Sequence, residues 1–348
     1  MIMNKYGFTE RFSALAAMYP QLQIGRVLSQ EKGCYKIVTD HGEKLAEISG
    51  KFRFNATTAS DIPAVGDFVM VDWNEAGGIT IIHHVLPRKS CFIRRAAGES
   101  REEQVVAANI DTVILCMSLN NDFNPRRLER YLSIAWDSGA VPVIVLTKSD
   151  LCDDLDVKLS EVSAVAMGVD VLVTTVLEQD GCARVLPYIT AGKTVAFIGS
   201  SGVGKSTLIN CLLGENRLDT QGLRNDDKGR HTTTHRELIL LPDGGMVIDT
   251  PGMRELGMWD SGTGVDRTFA EIEALACKCR FRDCTHGSEP GCAVRKALSN
   301  GSVSEERWLS YQKLKAENEY SADSQSYLAG KEKKFKEIAK INKSNRKR

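Results

Sequence analysis

The chain has 348 residues, 42% hydrophobic and 26% charged, as expected for a globular protein with two or three domains. Its 45 basic and 45 acidic side chains give zero formal net charge. Overall charge therefore indicates no polyanionic partner, and such a partner could be indicated only by local basic patches. The sequence contains no run of 18 apolar residues, and its first twenty residues lack the apolar core of a signal peptide. We therefore expect no membrane span and no secretory leader.

Ten cysteines divide into two groups. Four of them crowd into residues 277–292, a spacing that favours a metal site over disulfides. The other six stand alone in the sequence, and we expect free thiols in a reducing compartment, which predicts a cytoplasmic protein. These isolated residues are Cys34, Cys91, Cys116, Cys152, Cys182 and Cys211.

Residues 1–20 are an N-terminal leader in the sense of a short segment before the first domain, without a secretory signal. The segment 21–97 contains five short strand patterns separated by turn residues. They are "IGRVLS", "CYKIVTD", "EKLAEIS", "DFVMVDW" and "GITIIHHVL". Five strands in so short a segment predict a small β-barrel of the OB-fold type, the alternative being another small β-domain.

In residues 98–258 buried strands alternate with helices, which predicts an α/β domain with a doubly wound parallel sheet. The strand "DTVILCMSL" precedes a helix whose stripe comprises Leu128, Tyr131, Leu132 and Ala135. Further strands are predicted in "VPVIVLTKSD", "DVLVTTV" and "KTVAFIGS", and helices in "VKLSEVSAVAMG", "ARVLPYIT" and "KSTLINCLLG". The segment "RELILLPDGGMVIDTPG" predicts a hairpin that turns at its Asp-Gly-Gly sequence.

Residues 259–330 combine the cysteine cluster with a helical pattern, and residues 331–348 form a strongly basic tail. We expect Ser302 and Glu305 to form a capping box at the start of the helix "SEERWLSYQKLKAENEY". The tail either keeps the protein soluble or attracts the phosphates of RNA without recognising a particular base sequence.

The segment "GSSGVGKST" fits the phosphate-loop pattern G-x-x-x-x-G-K-[ST], and it lies between a strand and a helix as that motif requires. Backbone N–H groups and the helix N-terminus would surround the phosphates, Lys205 would reach the β- and γ-phosphates, and Ser206 would ligate Mg²⁺. The predicted nucleotide-binding residues of this loop are Gly199, Ser200, Ser201, Gly202, Val203, Gly204, Lys205, Ser206 and Thr207.

About forty residues later, "DTPG" ends another strand. Asp249 is predicted to act on Mg²⁺ and the Gly252 N–H to meet the γ-phosphate. A threonine of "GRHTTTH" would close over Mg²⁺, the candidates being Thr232, Thr233 and Thr234, with the last two preferred. Met253 stands where Ras-type GTPases carry a water-orienting glutamine. Hydrolysis is therefore predicted to be slow alone or to depend on a partner or another residue, for which His231 is a candidate.

The guanine-reading pattern [NT]KxD occurs as Thr147, Lys148, Ser149 and Asp150, at the end of the strand "VPVIVL". The carboxylate of Asp150 would accept hydrogen bonds from N1–H and the 2-amino group of guanine, a donor pair that adenine lacks. We expect a second base-contacting loop at Thr174 and Thr175. Because the guanine motif precedes the phosphate loop, the order of motifs predicts a circularly permuted GTPase.

Five residues of the cysteine cluster are suited to structural Zn²⁺, which takes four sulfur or imidazole ligands. They are Cys277, Cys279, Cys284, His286 and Cys292. Spacing alone does not decide between the first two. The alternatives are disulfides or unligated thiols.

Taken together, these motifs resemble the RsgA (YjeQ/YloQ) family of circularly permuted GTPases, over nearly the whole chain. The resemblance includes "GRV" at Gly25, "GKFR" at Gly50, "PAVGDFV" at Pro63, "VVAANID" at Val105 and "DFNPRRLERYL" at Asp122. It implies an OB-fold domain, a permuted GTPase domain and a C-terminal helical zinc domain. The family's ligand pattern implies Cys279, Cys284, His286 and Cys292, leaving Cys277 spare, and the pair Thr174-Thr175 departs from the usual Ser-containing pair.

The family resemblance implies a monomeric GTPase that binds the small ribosomal subunit and its rRNA, assists late maturation, and has its hydrolysis stimulated by the subunit. The implied cofactors are GTP or GDP, Mg²⁺ and one structural Zn²⁺. The alternative is an RNA-binding zinc protein that uses GTP only as a binding switch, or one whose nucleotide pocket is vestigial. A P-loop kinase for small molecules is a further alternative, against which the guanine motif argues.

Overall fold

The computed structural model describes residues 1–31, 33–73, 78–95, 103–175, 181–215, 236–249 and 263–322. Contacts divide the chain into two units, Met1–Gly257 and Met258–Arg348. Among the described residues, no helix combines the length and apolar character that crossing a bilayer requires.

Five strands at the start of the first unit close into a barrel in the order β1-β2-β3-β5-β4, with β4 pairing back to β1. Among the barrel strands that the structure describes, β3 and β5 are the one parallel pair. This is the OB-fold, and the five predicted strands are confirmed. The strands are β1 (Gln23–Glu31), β2 (Cys34–Thr39), β3 (Gly42–Ile48), β4 (Phe68–Asp72) and β5 (Thr80–Val85). The apolar residues that fill the barrel include Val27, Tyr35, Ile37, Val69, Val71 and Ile82.

Three helices accompany the barrel: α1 (Ile2–Lys5), α2 (Glu10–Ala16) and α3 (Gly50–Asn55). The predicted leader thus contains the first two of them. Met3 and Phe12 are fully buried, and the ring of Phe12 lies 4.0 Å from that of Phe68 on β4. Helix α3 follows β3, and the Ser49 hydroxyl caps it by accepting a hydrogen bond from the Phe52 N–H.

Strands β6 (Cys91–Arg95) and β7 (Glu103–Ala108) form an antiparallel pair between the barrel and the rest of the unit. The sequence patterns predict neither of these two strands. The reason is that their burial depends on the barrel: Ala107 bridges to Val65, and residues of both strands pack with Ala64.

The remaining strands of the unit continue the sheet in the order β10-β9-β8-β11-β13-β12. All neighbours pair in parallel except the β12–β13 hairpin, whose predicted turn at residues 243–245 is confirmed. These strands are β8 (Thr112–Ser118), β9 (Val141–Thr147), β10 (Asp170–Val173), β11 (Thr194–Ile198), β12 (Glu237–Leu240) and β13 (Met246–Asp249).

Helices α4 (Pro125–Ser138), α5 (Leu155–Val165) and α6 (Lys205–Leu213) belong to this α/β region. Alternate residues of β8 enter two separate apolar clusters, Val113 and Leu115 with α4 and Ile114 with α6, which is why the strand is apolar throughout. Helix α4 has Asn124 as its N-cap, Pro125 at N1 and a left-handed Gly139 at its C-terminus. Its predicted stripe of Leu128, Tyr131, Leu132 and Ala135 is buried, as the periodicity predicts.

The helix predicted in "ARVLPYIT" is instead a 3₁₀-helix, Ala183–Tyr188. Pro187 lies inside it, and a proline nitrogen donates no hydrogen bond, so a regular α-helix is disfavoured.

The second unit contains α7 (Thr263–Thr268), α8 (Ala270–Ala276), α9 (Ala293–Ser299) and α10 (Glu305–Ala322). Its core includes Val265, Phe269, Ile272, Tyr311 and Leu314. The predicted capping box is wrong, because α10 begins two residues later than such a cap requires. The Ser304 hydroxyl accepts a hydrogen bond from the Arg307 N–H at 3.2 Å, whereas the Ser302 N–H bonds Asn300.

The barrel and the α/β sheet are joined through β1, which pairs with β12 at Ser29 and Glu237. Beside this junction Arg26 is only 1% exposed. Its guanidinium donates hydrogen bonds to the carbonyls of Tyr6 at 2.6 Å, Gly66 at 3.2 Å and Asn109 at 3.4 Å, and to the Thr194 hydroxyl at 2.8 Å.

Burial lowers the pKa of Arg26 to about 10, and the nearby carboxylates of Asp111 and Asp67 oppose that decrease. The side chain therefore stays charged at neutral pH. A buried charge is costly unless hydrogen bonds replace its lost hydration, and here carbonyls from three separate segments do so.

We predict that Arg26→Met lowers the free energy of unfolding by about 3–5 kcal/mol, since buried carbonyls lose their charged donor. Denaturant titration of the full chain measures this. Arg53→Met, at an exposed position of α3, is the control and should change stability by less than about 0.5 kcal/mol. Equal effects at the two positions would show that Arg26 does not hold the junction.

Candidate functional site

The predicted phosphate loop lies between the end of β11 and the start of α6, at the carboxyl edge of the parallel strands. Two of its glycines have a left-handed backbone, Gly202 with φ 69° and Gly204 with φ 102°. At Gly199 the constraint is space, since a Cβ there would lie 2.6 Å from the carbonyl oxygen of Cys116 on β8. Glycine is therefore required at these positions for two different reasons.

Lys205, at the first turn of α6, folds its side chain back over this loop. Its Nζ donates to the carbonyl oxygens of Gly199 at 2.7 Å and Ser200 at 2.6 Å. Ser206 and Thr207 follow in the same turn and are half-buried. The loop thus gathers an ammonium group, two hydroxyls and a helix N-terminus, the donors that a polyphosphate needs.

The predicted guanine motif lies directly against the phosphate loop. The Thr147 hydroxyl donates to the Val203 carbonyl at 2.6 Å, and Lys148 Nζ donates to the Gly202 carbonyl at 2.7 Å. Lys148 itself adopts a left-handed backbone, φ 57°, and Ser149 begins a short 3₁₀-helix. The structure therefore brings together two motifs that lie about fifty residues apart in sequence.

Asp150 is held by the second predicted base loop. The Thr175 hydroxyl donates to Asp150 Oδ1 at 2.5 Å, and the Ser149 N–H donates to the Thr174 carbonyl at 3.3 Å. A cavity of about 80 Å³ opens here, and its lining includes residues of both base loops and of the phosphate loop. These include Thr147, Lys148, Thr174, Thr175, Gly204 and Thr207. The arrangement provides a carboxylate for the base beside donors for the phosphates.

A disulfide between Cys182 and Cys211 borders this cavity, with a Cα–Cα distance of 6.4 Å. It links the segment that follows the second base loop to helix α6. The expectation that these two cysteines are free thiols is therefore wrong. Their partnership escapes sequence reasoning because they are 29 residues apart and meet only through the packing of α6 on the sheet.

Sequence reasoning also assigns no role to Asp122, which the structure places beside the phosphate loop. Its Oδ2 accepts hydrogen bonds from the Ser200 hydroxyl at 2.6 Å and from Arg127 Nη1 at 2.7 Å. One signal in the sequence was available: Asp122 follows the buried strand β8, and the ends of parallel strands meet at one edge of the sheet.

Several predicted site residues fall outside the described part of the chain. For Asp249 the structure gives the backbone, which ends β13 and pairs with Glu237 of β12. Those outside the described residues are His231, Thr232, Thr233, Thr234, Gly252 and Met253.

In the second unit, Cys279, Cys284, His286 and Cys292 gather their ligand atoms within 4.8 Å of one another. The Cys279 and Cys292 sulfurs are 3.9 Å apart, and His286 Nδ1 lies 3.6 Å and 3.4 Å from them. Zinc–sulfur bonds of about 2.3 Å in a tetrahedron put ligands about 3.8 Å apart. The donor set and its spacing therefore fit one zinc ion.

The local fold supports sulfur ligands at this cluster. Cys292 is the N-cap of α9, and its sulfur accepts a hydrogen bond from the Arg295 N–H at 3.4 Å. Burial alone would raise the pKa of Cys279, but backbone N–H groups of Ala293 and Val294 bring it below its usual value. His286 has φ 60°, a backbone bend that turns its ring toward the sulfurs. Cys277 is exposed and is not one of the four clustered residues.

The chain is similar to one family of GTPases and to several proteins of that family. A model of the RsgA GTPase family matches residues 85–259. The small ribosomal subunit biogenesis GTPase RsgA 2 of Lactiplantibacillus plantarum is 51% identical over 317 residues, 91% of this chain and 89% of that protein. RsgA 1 of Oceanobacillus iheyensis is 44% identical over 327 residues, 93% of each protein.

Two solved structures are also similar. The crystal structure of YjeQ from Thermotoga maritima aligns with a TM-score of 0.64 and 28% identity, covering 85% of this chain and 98% of the other. That of YloQ, described as a circularly permuted GTPase, aligns with a TM-score of 0.59 and 26% identity, covering 86% and 95%.

We predict that Asp150→Asn inverts base selectivity. The carboxylate suits the two donors of guanine, and an amide instead offers an N–H donor that suits the second carbonyl of xanthine. GDP affinity should fall about a hundredfold or more and XDP affinity should rise, as competition binding would measure. Asp156→Asn, on the exposed face of α5, should leave both affinities unchanged. Unaltered base preference in Asp150→Asn would show that this carboxylate does not read the base.

We predict that Cys284→Ala abolishes stoichiometric zinc, because three ligands hold the ion far more weakly than four. Zinc content of the purified chain, measured by mass spectrometry of the metal, is the readout, with helical content as a second. Cys277→Ala is the matched control and should retain one zinc per chain. Loss of zinc in Cys277→Ala alone would assign the fourth sulfur to that residue.

Proposed function

This chain belongs to the RsgA GTPase family and is a GTP hydrolase, and we propose that it binds the small ribosomal subunit and its rRNA and assists late maturation. The observation that carries the proposal is that Thr147 and Lys148 of the guanine motif donate hydrogen bonds to carbonyls of the phosphate loop, so that both motifs form one site. The relatives at 51% and 44% identity are named small ribosomal subunit biogenesis GTPases, which supports the choice of partner.

Within the site we assign roles by chemistry. Asp150, fixed by Thr175, selects guanine, while Lys205 and the backbone of the phosphate loop hold the β- and γ-phosphates. Mg²⁺, when bound, neutralises developing phosphate charge, and Ser206, one of Thr233 and Thr234, and Asp249 would hold it. His231 is assigned to orient the attacking water, and the Gly252 N–H to sense the γ-phosphate.

Zinc binding by Cys279, Cys284, His286 and Cys292 is also part of this proposal, with a structural role. Four protein ligands leave no open coordination position, so the ion stabilises the second unit and takes no part in hydrolysis. The domain division follows the same functions: 21–97 for RNA, 98–258 for GTP and 259–330 for zinc, with the basic tail 331–348 adding phosphate attraction. We propose a monomer that works in the cytoplasm, on the ground of its ribosomal partner, and the Cys182–Cys211 disulfide is an exception to the free thiols expected there.

The barrel surface carries the features expected of an RNA-binding face. His41 stacks on Trp73 at 4.8 Å, and Lys44 Nζ lies 4.0 Å from the centre of the same indole ring. On another part of the barrel Tyr19 stacks on His84 at 4.3 Å, at an open groove of about 620 Å³ that Lys51 also lines. Aromatic rings beside cations suit stacked bases with phosphates.

In this mechanism, GTP binding closes Thr232–Thr234 and the DTPG segment over the phosphates. This closure prepares the OB and zinc domains to bind the small subunit. The subunit then completes the hydrolytic site that Met253 leaves without a glutamine, and hydrolysis releases the protein. The segment "DTPG" is followed closely in sequence by the zinc domain, so γ-phosphate sensing and that domain are coupled through a short stretch of chain.

We predict that purified small subunits raise the GTPase rate about tenfold or more, whereas large subunits do not. Turnover of GTP with each subunit measures this. His231→Ala should retain subunit binding but lose most of the stimulation. A rate that small subunits leave unchanged would contradict the coupling and favour a protein that uses GTP only as a binding switch.

Co-sedimentation tests the same cycle without turnover. The chain should pellet with small subunits in a non-hydrolysable GTP analogue and remain in solution with GDP. Equal binding in both nucleotides would contradict release by hydrolysis.

A further inference from the structure

The loop between β8 and α4, residues 119–124, lies at the sheet edge where the phosphate loop begins. Asp122 in this loop accepts hydrogen bonds through one oxygen from both Ser200 and Arg127. Ser200 is the second residue of the phosphate loop, and Arg127 belongs to the first turn of α4. A single carboxylate oxygen therefore connects the phosphate loop to a 14-residue helix.

The 119–124 loop is itself fixed, so it can serve as a support. Asn120 Oδ1 accepts hydrogen bonds from the Ser118 hydroxyl at 2.8 Å and from the Asp122 N–H at 3.1 Å. The Leu119 N–H donates at 2.9 Å to the carbonyl of Thr147, the first residue of the guanine motif. Asn124 caps α4 through the Arg127 N–H.

A carboxylate next to a triphosphate site needs compensation, because like charges repel. Arg127 supplies it by an ion pair of 2.7 Å. This hydrogen bond is the main reason that the pKa of Asp122 lies below its usual value, with smaller contributions from Ser200 and from the charge of Lys148. Asp122 is thus ionised at neutral pH, and the pair with Arg127 is close to neutral.

We infer that Asp122 is a positioning residue for the phosphate loop, with Arg127 as its charge partner. The guanine motif fixes the middle of the loop at Gly202 and Val203, and Lys205 reaches its first carbonyls. Asp122 adds an anchor at Ser200, the second residue of the loop. With its start and its middle both fixed, the loop N–H groups face the phosphates before the nucleotide arrives.

This role rests on GTP binding by the chain but not on the ribosomal part of the proposed function. The loop surrounds phosphates that GDP and GTP share, so removal of the anchor should weaken both. A positioning role predicts higher Kd for GDP and higher KM for GTP, with kcat for intrinsic hydrolysis changing less.

A double-mutant cycle tests the contact. Asp122→Ala and Ser200→Ala should each raise the Kd of a fluorescent GDP analogue about tenfold, the value of one charge-assisted hydrogen bond. Because both changes remove the same bond, the double variant should also be about tenfold weaker, not about a hundredfold. Asp122→Asn, whose amide oxygen still accepts from Ser200, should recover most of the affinity.

Charge compensation gives an independent test. Arg127→Gln leaves the carboxylate unpaired beside the phosphates and should weaken GDP binding about tenfold at low salt, less at high salt. In the Asp122→Asn background the same change should have little effect. An equal loss in both backgrounds would mean that Arg127 contacts the nucleotide itself and would overturn its assignment as charge partner.

Asp156→Ala, an exposed carboxylate on α5, is the matched control and should keep wild-type affinity. Melting temperatures of all variants should agree closely with that of the wild type, since Asp122 and Arg127 remain partly exposed. An unchanged Kd in Asp122→Ala, or additive losses in the double variant, would overturn the inference. Failure of wild-type protein to hydrolyse GTP would contradict the enzymatic function but leave the GDP measurement valid.

Discussion

The buried guanidinium of Arg26 is the contact on which the first unit depends. It donates hydrogen bonds to three carbonyls: Tyr6 after α1, Gly66 before β4 and Asn109 after β7. It also donates to the hydroxyl of Thr194 at the start of β11. Strand β11 leads directly into the phosphate loop. The same side chain that closes the barrel against the sheet therefore fixes the base of the strand that carries the nucleotide site.

Close backbone approach makes this junction possible. At Gly66, φ is 90°, and a Cβ would lie 2.2 Å from the Ala108 carbonyl oxygen. At Gly7 it would lie 2.6 Å from the Gly192 carbonyl oxygen. Helix α4 provides a second connection. Arg127 in its first turn pairs with Asp122 near the phosphate loop, and Gly139 at its C-terminus lies against Lys89 of the segment that leaves the barrel. The nucleotide site and the barrel thus share rigid elements.

The permuted order of motifs has a simple structural basis. Strands β8, β9 and β11 are adjacent and parallel, so the loops that follow them meet at one edge whatever their order in the chain. This is why a guanine motif at residues 147–150 serves a loop at 199–207. The carboxylate that fixes Ser200 also comes from this edge.

Much of the molecule follows from local patterns. Alternation of apolar residues predicts the barrel strands, a continuous apolar run predicts β8, and the apolar stripe that includes Leu128 and Leu132 predicts α4. Short motifs locate the phosphate loop and the metal ligands because their chemistry depends on spacing within a few residues. The 3₁₀-helix Ala183–Tyr188 departs from its helical pattern because Pro187 removes a donor.

Sequence by itself therefore determined the five barrel strands, most strands and helices of the α/β region, the motifs and the ligand chemistry, since each depends on neighbours along the chain. Only the tertiary structure decided the β1–β12 junction, the burial of Arg26, the Cys182–Cys211 bond and the contact of Asp122 with Ser200. The two cysteines are 29 residues apart in sequence, Asp122 and Ser200 are 78 apart, and the paired residues Ser29 and Glu237 are further apart still. Their energies arise from desolvation and geometry, which no local pattern in the sequence encodes.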